Sequence, residues 1–355
     1  INYINVLIFI SGGIIISLIS NKLLLRFSQS LGIRNKNDVT VRWSNQSKPS
    51  LGGIGLFLGF LFATFLYLML EPDINIFGNI EFIGLFFSAS LAFSMGLADD
   101  AYDTKPLFKL FIQISCGLFL VLSGTTIDLF HNEIADSITT IIWVIILMNS
   151  LNMLDNMDGI TSITSLFIIL CALIFLGIQY SFNQYDFMIL TGASGSLIAF
   201  LFYNWHPSKM FMGDSGSQFL GLLIAAIGIK YFWNIDSFIS GEKIATKQII
   251  TILLVFILPI IDTTTVVINR ISGKNSPFIG GKDHTTHHLS YMGFTDSQIS
   301  FIFAGISFLS CLIAIALYRF VDQWNWINTF LFLLYFLGVF CSLFFTTQQH
   351  KDKRK

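Results

Sequence analysis

Apolar stretches long enough to cross the roughly 30 Å hydrocarbon core of a bilayer, about 17 to 25 residues each, recur about eleven times along this chain. They fall at 4–26, 51–70, 80–97, 107–124, 136–151, 160–179, 187–204, 217–233, 248–268, 298–319 and 326–346. Lipid offers no water to satisfy backbone N–H and C=O groups, so each stretch must bond its own backbone as a helix. The fold expected is therefore an all-α polytopic membrane protein, a single domain over residues 1–355. Only 12% of the 355 residues are charged, against the roughly one quarter that a water-facing surface needs. The 38 Phe residues suit lipid-facing helices better than the interior of a soluble domain.

Alternating the sides puts 27–50, 98–106, 152–159, 205–216, 269–297 and 347–355 on one face. That face carries Arg34, Lys36, Arg42, Lys48, Lys105, Lys209, Arg270, Lys274, Lys282, Lys351, Lys353, Arg354 and Lys355. The other face holds only Lys230, Lys243, Lys247 and Arg319. The positive-inside rule makes the rich face cytosolic, with the N-terminus outside and the C-terminus inside, as an odd number of spans requires.

The first run, 1–25, has Lys22 and Arg26 at its far end rather than basic residues ahead of it. This is the reverse of a secretory signal peptide, so a retained helix is expected. Cys116, Cys171, Cys311 and Cys341 lie in apolar runs with no paired or metal-ligand spacing, and are expected to behave as small hydrophobes. The net charge of −1 gives no sign of a nucleic-acid partner, and none is expected.

The unusual polar clusters gather on the basic face. They are Asp99-Asp100, the run Asn149 to Gly159 containing Asn149, Asn152, Asp155 and Asp158, then Asn204, Gly213-Asp214-Ser215-Gly216, and Asp283-His284-Thr285-Thr286-His287-His288. A single Asp or Asn at a membrane boundary is ordinarily a helix cap. The set is different, because the opposite loops have acids but no such groupings, and its coincidence on one side points to an active site. Adjacent carboxylates such as Asp99 and Asp100 repel unless a cation neutralises them or one stays protonated. The three-residue spacing from Asn149 through Asn152 and Asp155 to Asp158 places all four near one helical face. Magnesium prefers one or two carboxylates with phosphate oxygens and water, which suits Asp214, and Gly213 and Gly216 would let backbone amides approach a phosphate. For His284, His287 and His288, beside Lys282, three readings stay open: contacts to a pyrophosphate, a metal site without thiolates, or no role. Asp262, late in the ninth run, is either functional, as intramembrane acids often are, or a polar bond near the interface.

Taken in order, KPSLGG (48–53), GLADD (96–100), NSLNMLDNMDG (149–159), FYNWHPSKMFMGDSGS (202–217) and GKDHTTHHL (281–289) resemble the polyprenyl-phosphate N-acetylhexosamine-1-phosphate transferases. The resemblance covers residues from about 40 to 297 and is similar to the branch that uses UDP-N-acetylglucosamine. It implies Asp99 and Asp100 as the catalytic pair and Asn152 and Asp214 as ligands of magnesium, with manganese as the alternative ion. Lys48, Asn149, Asp155, Asp158, Asn204 and Phe211 would bind the nucleotide sugar, with Phe211 stacking on uracil. Arg42, Lys105, His284, His287 and His288 would meet the pyrophosphate or the lipid phosphate. The family's commoner His-x-His-His grouping, or its DHxxHR variant, is here His284-Thr-Thr-His287-His288, so which imidazole meets the pyrophosphate stays open.

The activity so implied moves a sugar 1-phosphate from a UDP-N-acetylhexosamine to undecaprenyl phosphate, releasing UMP and starting a lipid-linked envelope glycan at a bacterial cytoplasmic membrane. Its partners are the nucleotide sugar, undecaprenyl phosphate and membrane lipids, with a homodimer left open. A lipid phosphate is already largely dianionic at neutral pH, so direct attack is expected, with an aspartyl-phosphate route as the competing mechanism. A donor like that of the phospho-N-acetylmuramoyl-pentapeptide transferases is the alternative within the family. A transporter is the alternative of a different class, although its carboxylates would gather at the midplane rather than at one surface.

Overall fold

The computed structural model describes residues 3–28, 48–71, 76–178, 183–235, 244–276, 281–321 and 323–349. Arg34, Lys36, Arg42 and the basic tail from Lys351 to Lys355 lie outside the described residues. Among the described residues thirteen α-helices follow one another: α1 Tyr3–Phe27, α2 Gly52–Leu70, α3 Ile80–Tyr102, α4 Pro106–Leu122, α5 Glu133–Leu154, α6 Ile160–Ile178, α7 Gln184–Asn204, α8 Gly213–Gly228, α9 Ala245–Val255, α10 Ile257–Ser272, α11 Thr285–Tyr291, α12 Asp296–Phe320 and α13 Trp326–Gln349. Among the described residues there is no strand, only one isolated bridge between Ser50 and Phe211. The protein is thus an all-α polytopic membrane protein.

Among the described residues nine helices are long and apolar enough to cross a membrane, counting α8 with the π turn Ile229–Trp233 that extends it. The pair α9 and α10 passes the same test together, but is bent by 82°. The sequence suggests one straight span at 248–268, and the break has a local cause. Pro259 has no N–H, and its ring would clash with the carbonyl of Val255, where α9 ends. Helix α4, at 17 residues, is the remaining apolar helix.

Side chains set several helix starts. The Asn79 side chain accepts from the backbone of Glu81 and Phe82 at the head of α3. Asn132 does the same for α5, Pro106 opens α4, and Thr295 with Gln298 forms a capping box on α12. Such caps satisfy N–H groups that the first turn leaves without helical partners.

Helix α8 is the axis of the bundle, with every residue from Ser215 to Gly228 buried. It packs against α2, α3 and α5, while α1 closes on α2 and α7, and α12 on α6. Helix α13 is peripheral, burying only Phe336, Leu343 and Thr347. The C-terminal ends of α3, α5 and α7 and the N-terminal ends of α2, α4, α6, α8 and α12 meet at one end of this bundle, which is where the chemistry-bearing side chains gather.

Candidate functional site

Helix α3 does not stop at residue 97 as the hydropathy suggests but runs to Tyr102, carrying Asp99 and Asp100 on its last turns. Asp99 is buried. One of its oxygens accepts from the Thr104 backbone at 2.8 Å and the Thr104 hydroxyl at 2.7 Å. Its other oxygen pairs with the Lys109 ammonium. That ammonium also stands 3.6 Å from Asp214. On the far side of Asp214, the Asn152 side-chain amide donates to its carboxylate at 3.0 Å and to the Ser217 hydroxyl at 3.0 Å. Four helices therefore bring Asp99, Lys109, Asn152 and Asp214 into one group.

Asp100 faces another way. The backbone N–H groups of Asp214 and Ser215 donate to its two oxygens at 2.9 Å each. Gly213 permits this approach: its φ is +77°, and a Cβ there would lie 2.8 Å from the Asp100 carboxylate. Gly96 is equally constrained, since a Cβ would sit 2.2 Å from the Asp214 carbonyl oxygen. The expectation that the Gly213–Gly216 amides cradle a phosphate is corrected here, because two of them already serve Asp100.

A second group surrounds the 205–212 loop. The Asp158 carboxylate accepts from the Ser208 backbone at 2.9 Å and the Ser208 hydroxyl at 2.7 Å. Lys48 donates to the Ser208 hydroxyl at 3.0 Å, lies 3.7 Å from Asp158, and stands over the Phe211 ring 5.3 Å from its centroid. His206 stands 3.3 Å from Asp158 and 3.5 Å from Asp296. Buried Asn204 accepts from the Gly159 backbone and the Ser162 hydroxyl and donates to the Met210 carbonyl. The chain at 49–53 then runs alongside 211–212 through three backbone hydrogen bonds of 2.9–3.1 Å. The shared helical face expected for Asn149, Asn152, Asp155 and Asp158 is corrected accordingly. Helix α5 ends at Leu154 with Asp155 as its C-cap, and the turn that follows swings Asp158 into this second group. Asn149 bonds instead to Gln113, which bonds to Gln218.

The histidine segment forms a third group. Asp262 on α10 accepts from the Thr285 backbone at 2.9 Å and the Thr285 hydroxyl at 2.6 Å, and lies 2.8 Å from His284 Nδ1. Arg270 donates to both oxygens of Asp283 at 2.7 Å. Burial alone would raise the Asp283 carboxyl, but the hydrogen bonds and charge of Arg270 outweigh it and hold the group below its ordinary range. The Thr286 hydroxyl ties α11 to Asn156 at 2.6 Å. His284, His287 and His288 are all buried, His288 completely. Burial, reinforced by the His284 charge, brings His287 down to about 3.

The structure thus brings Asp99, Asn152 and Asp214 together and places Lys48, Asp158, Asn204 and Phe211 beside the 205–212 loop. It leaves Lys105 exposed at the head of α4, one turn before the lysine that does reach the acids. Thr104, Lys109, Ser208 and Ser217 were not among the site residues expected from the sequence. The four-residue spacing of Lys105 and Lys109, one helical turn, was the available signal for Lys109. Among the described residues no three His, Cys, Asp or Glu side chains cluster as a metal cage. Asp214 and nearby Asp99 carry carboxylate oxygens, and Asn152 an amide oxygen, of the kind a hard divalent cation completed by phosphate oxygens and water would take, while in the structure the Asn152 amide N–H donates to Asp214 and the Lys109 ammonium neutralises the two acids.

The fold and this acid- and amide-lined end define a polytopic membrane protein with the makings of a phosphoryl-transfer site. The family description "Glycosyl transferase family 4" matches residues 82–232. The chain is 24% identical over 306 residues to the "Probable undecaprenyl-phosphate N-acetylglucosaminyl 1-phosphate transferase" of Bacillus subtilis, covering 83% of this chain and 79% of the relative. It is 23% identical over 278 residues to the decaprenyl-phosphate N-acetylglucosaminephosphotransferase of Mycobacterium leprae, covering 71% and 68% of the two chains. A phospho-N-acetylmuramoyl-pentapeptide-transferase of Lactiplantibacillus plantarum is 31% identical over 144 residues, 39% of each chain. The chain is similar to glycosyl transferase family 4 over those residues 82–232.

Proposed function

We propose that this protein transfers N-acetylglucosamine 1-phosphate from UDP-N-acetylglucosamine to undecaprenyl phosphate, releasing UMP, at the cytosolic face of a bacterial inner membrane. The observation that carries the reading is the convergence of Asp99, Lys109, Asn152 and Asp214 from four helices at one end of the bundle. The relatives named above, two of which are polyprenyl-phosphate N-acetylglucosamine phosphotransferases, support it. The basic residues at this end, Lys48, Lys105, Lys209, Arg270, Lys274 and Lys282, outnumber Lys230, Lys247 and Arg319 at the other, which supports a cytosolic site.

In this reading an oxygen of the lipid phosphate attacks the phosphorus that bears the sugar. The bond from that phosphorus to the bridging oxygen of UMP breaks, and UMP leaves with the electron pair. The products are UMP and a polyprenyl diphosphate sugar. The lipid phosphate is already largely dianionic, so Asp99 orients it through any proton it retains rather than generating it. Lys109 lies where charge on the transferring phosphoryl group needs neutralising. Asp214 and Asn152 would hold magnesium, which supplies Lewis-acid neutralisation of the diphosphate oxygens. Phe211 and Lys48, fixed by the Ser208–Asp158 contacts, present a ring face and a cation to the nucleotide.

The test is direct. Detergent-solubilised protein incubated with UDP-N-acetylglucosamine, undecaprenyl phosphate and magnesium should release UMP, and release should stop when either the lipid or the metal is withheld. UMP release from no UDP-N-acetylhexosamine would overturn the reading.

A further inference from the structure

Asp99 and Asp100 are neighbours in sequence with the same functional group, yet the structure gives their carboxylates different surroundings. Asp99 faces the Lys109 ammonium and a hydroxyl. Asp100 has each oxygen engaged by a backbone N–H at the head of α8, from Asp214 and from Ser215. The first turn of any helix leaves N–H groups without helical partners, and a carboxylate placed there also meets the favourable end of the helix dipole. The cap is unusual in coming from another helix, 114 residues away in sequence. It grips the backbone of the residue whose side chain meets Asn152 and Lys109. Gly96 lets α3 approach closely enough for this, and Gly213 supplies the backbone shape.

We propose that Asp100 is a positioning residue. It clamps the first turn of α8 to the end of α3 and so fixes the Asp214 carboxylate in its metal-holding orientation, while Asp99 alone of the pair meets the acceptor phosphate. The proposal rests on the metal role given to Asp214 above. It follows that the two acids are not interchangeable, and that a covalent phosphoryl intermediate does not form on Asp100. It also follows that the acceptor capacity of residue 100 matters more than its charge.

Acceptor and charge are separated by comparing Asp100→Asn, which keeps one acceptor oxygen, with Asp100→Ala, which keeps none. Manganese binding to the full-length protein in detergent, read by electron paramagnetic resonance without substrates, should weaken about tenfold in Asp100→Asn. It should weaken further in Asp100→Ala. The metal concentration for half-maximal UMP release should move in step, and Asp100→Asn should recover most of its turnover at saturating metal. Asp99→Asn should instead lose turnover at every metal concentration. Amide exchange in the first turn of α8 should rise from wild type to Asp100→Asn to Asp100→Ala, a measurement that stands even for a variant that has lost activity. Equal loss of turnover in both Asp100 variants with wild-type manganese affinity would overturn the proposal, as would a phosphorylated Asp100 trapped with UDP-N-acetylglucosamine alone. If wild type binds manganese but turns over no UDP-N-acetylhexosamine, the proposed reaction fails, while the binding and exchange series still decides the role of Asp100.

Discussion

Replacing Lys109 with Met should cost this protein most of its turnover, whereas the same change at Lys105 should cost little. Lys109 pairs with Asp99 and stands 3.6 Å from Asp214. Two unit charges about 4 Å apart interact by about 4 kcal/mol at the effective dielectric of about 20 found near protein surfaces. The ammonium is 28% exposed, so solvent screening and its own desolvation remove part of that. A net contribution of about 2–3 kcal/mol remains, within the range for hydrogen bonds to charged groups. Without the ammonium, Asp99 and Asp214 face each other and the incoming phosphates with no fixed cation between them. If the contribution is felt fully in the transition state, Lys109→Met should lower kcat about 30- to 150-fold. Lys105 is exposed at the head of α4, and Lys105→Met should stay within about threefold of wild type, the usual range for a surface change. The assay is UMP release at saturating donor, lipid and magnesium, on protein shown by size exclusion to be monodisperse. Near-normal turnover in Lys109→Met, or an equal loss in Lys105→Met, would refute the reasoning.

Three further outcomes follow from the packing around the site. Asp283→Ala removes both hydrogen bonds that the buried Arg270 guanidinium donates to that carboxylate and should destabilise the 281–291 segment by about 1.5–3 kcal/mol, seen as faster proteolysis there and a lower Tm, with Asp283→Asn milder. His287 is held neutral by burial, near 3 against an ordinary 6.5, so below pH 6.5 the unfolded state takes up the proton that the folded state refuses. Stability should therefore fall from pH 6.5 towards pH 3 by about 1.4 kcal/mol per unit, and thermal melts at pH 7 and 5.5 should converge in His287→Asn. Gly96→Leu forces a side chain into the Asp214 carbonyl and should abolish UMP release while the protein still inserts into the membrane, which carbonate extraction of membranes would establish.

Hydropathy made the helices legible because the cost of an unsatisfied backbone group in lipid is paid residue by residue along the chain. Ten of the apolar runs each correspond to one continuous helical stretch, 217–233 with its π turn included, and the exception, 248–268, divides before Pro259, a signal present in the sequence. The span ends were less legible. Asp99 and Asp100 look like loop residues by hydropathy, yet α3 carries them inward, because Lys109 and the head of α8 receive their charges. Spacing likewise grouped Asn152 with Asp155 and Asp158, and missed that the helix ends between them.

Hydropathy and motif order alone specify a helical membrane protein whose dense groups of acids, amides and histidines gather at one end of its helices. That information is local, carried by composition and by the order of motifs. Which of these residues become partners is settled by how the helices pack. Packing gives Asp99 to Lys109 and Asp100 to the backbone of Asp214 and Ser215, sets Asp158 against Ser208 rather than beside Asn152, and holds the histidine segment through His284 and Thr285 on Asp262, Thr286 on Asn156 and Asp283 on Arg270. Those pairings join residues on different elements, so they depend on how close two helices approach, which glycines such as Gly96 and Gly213 permit and no single segment encodes.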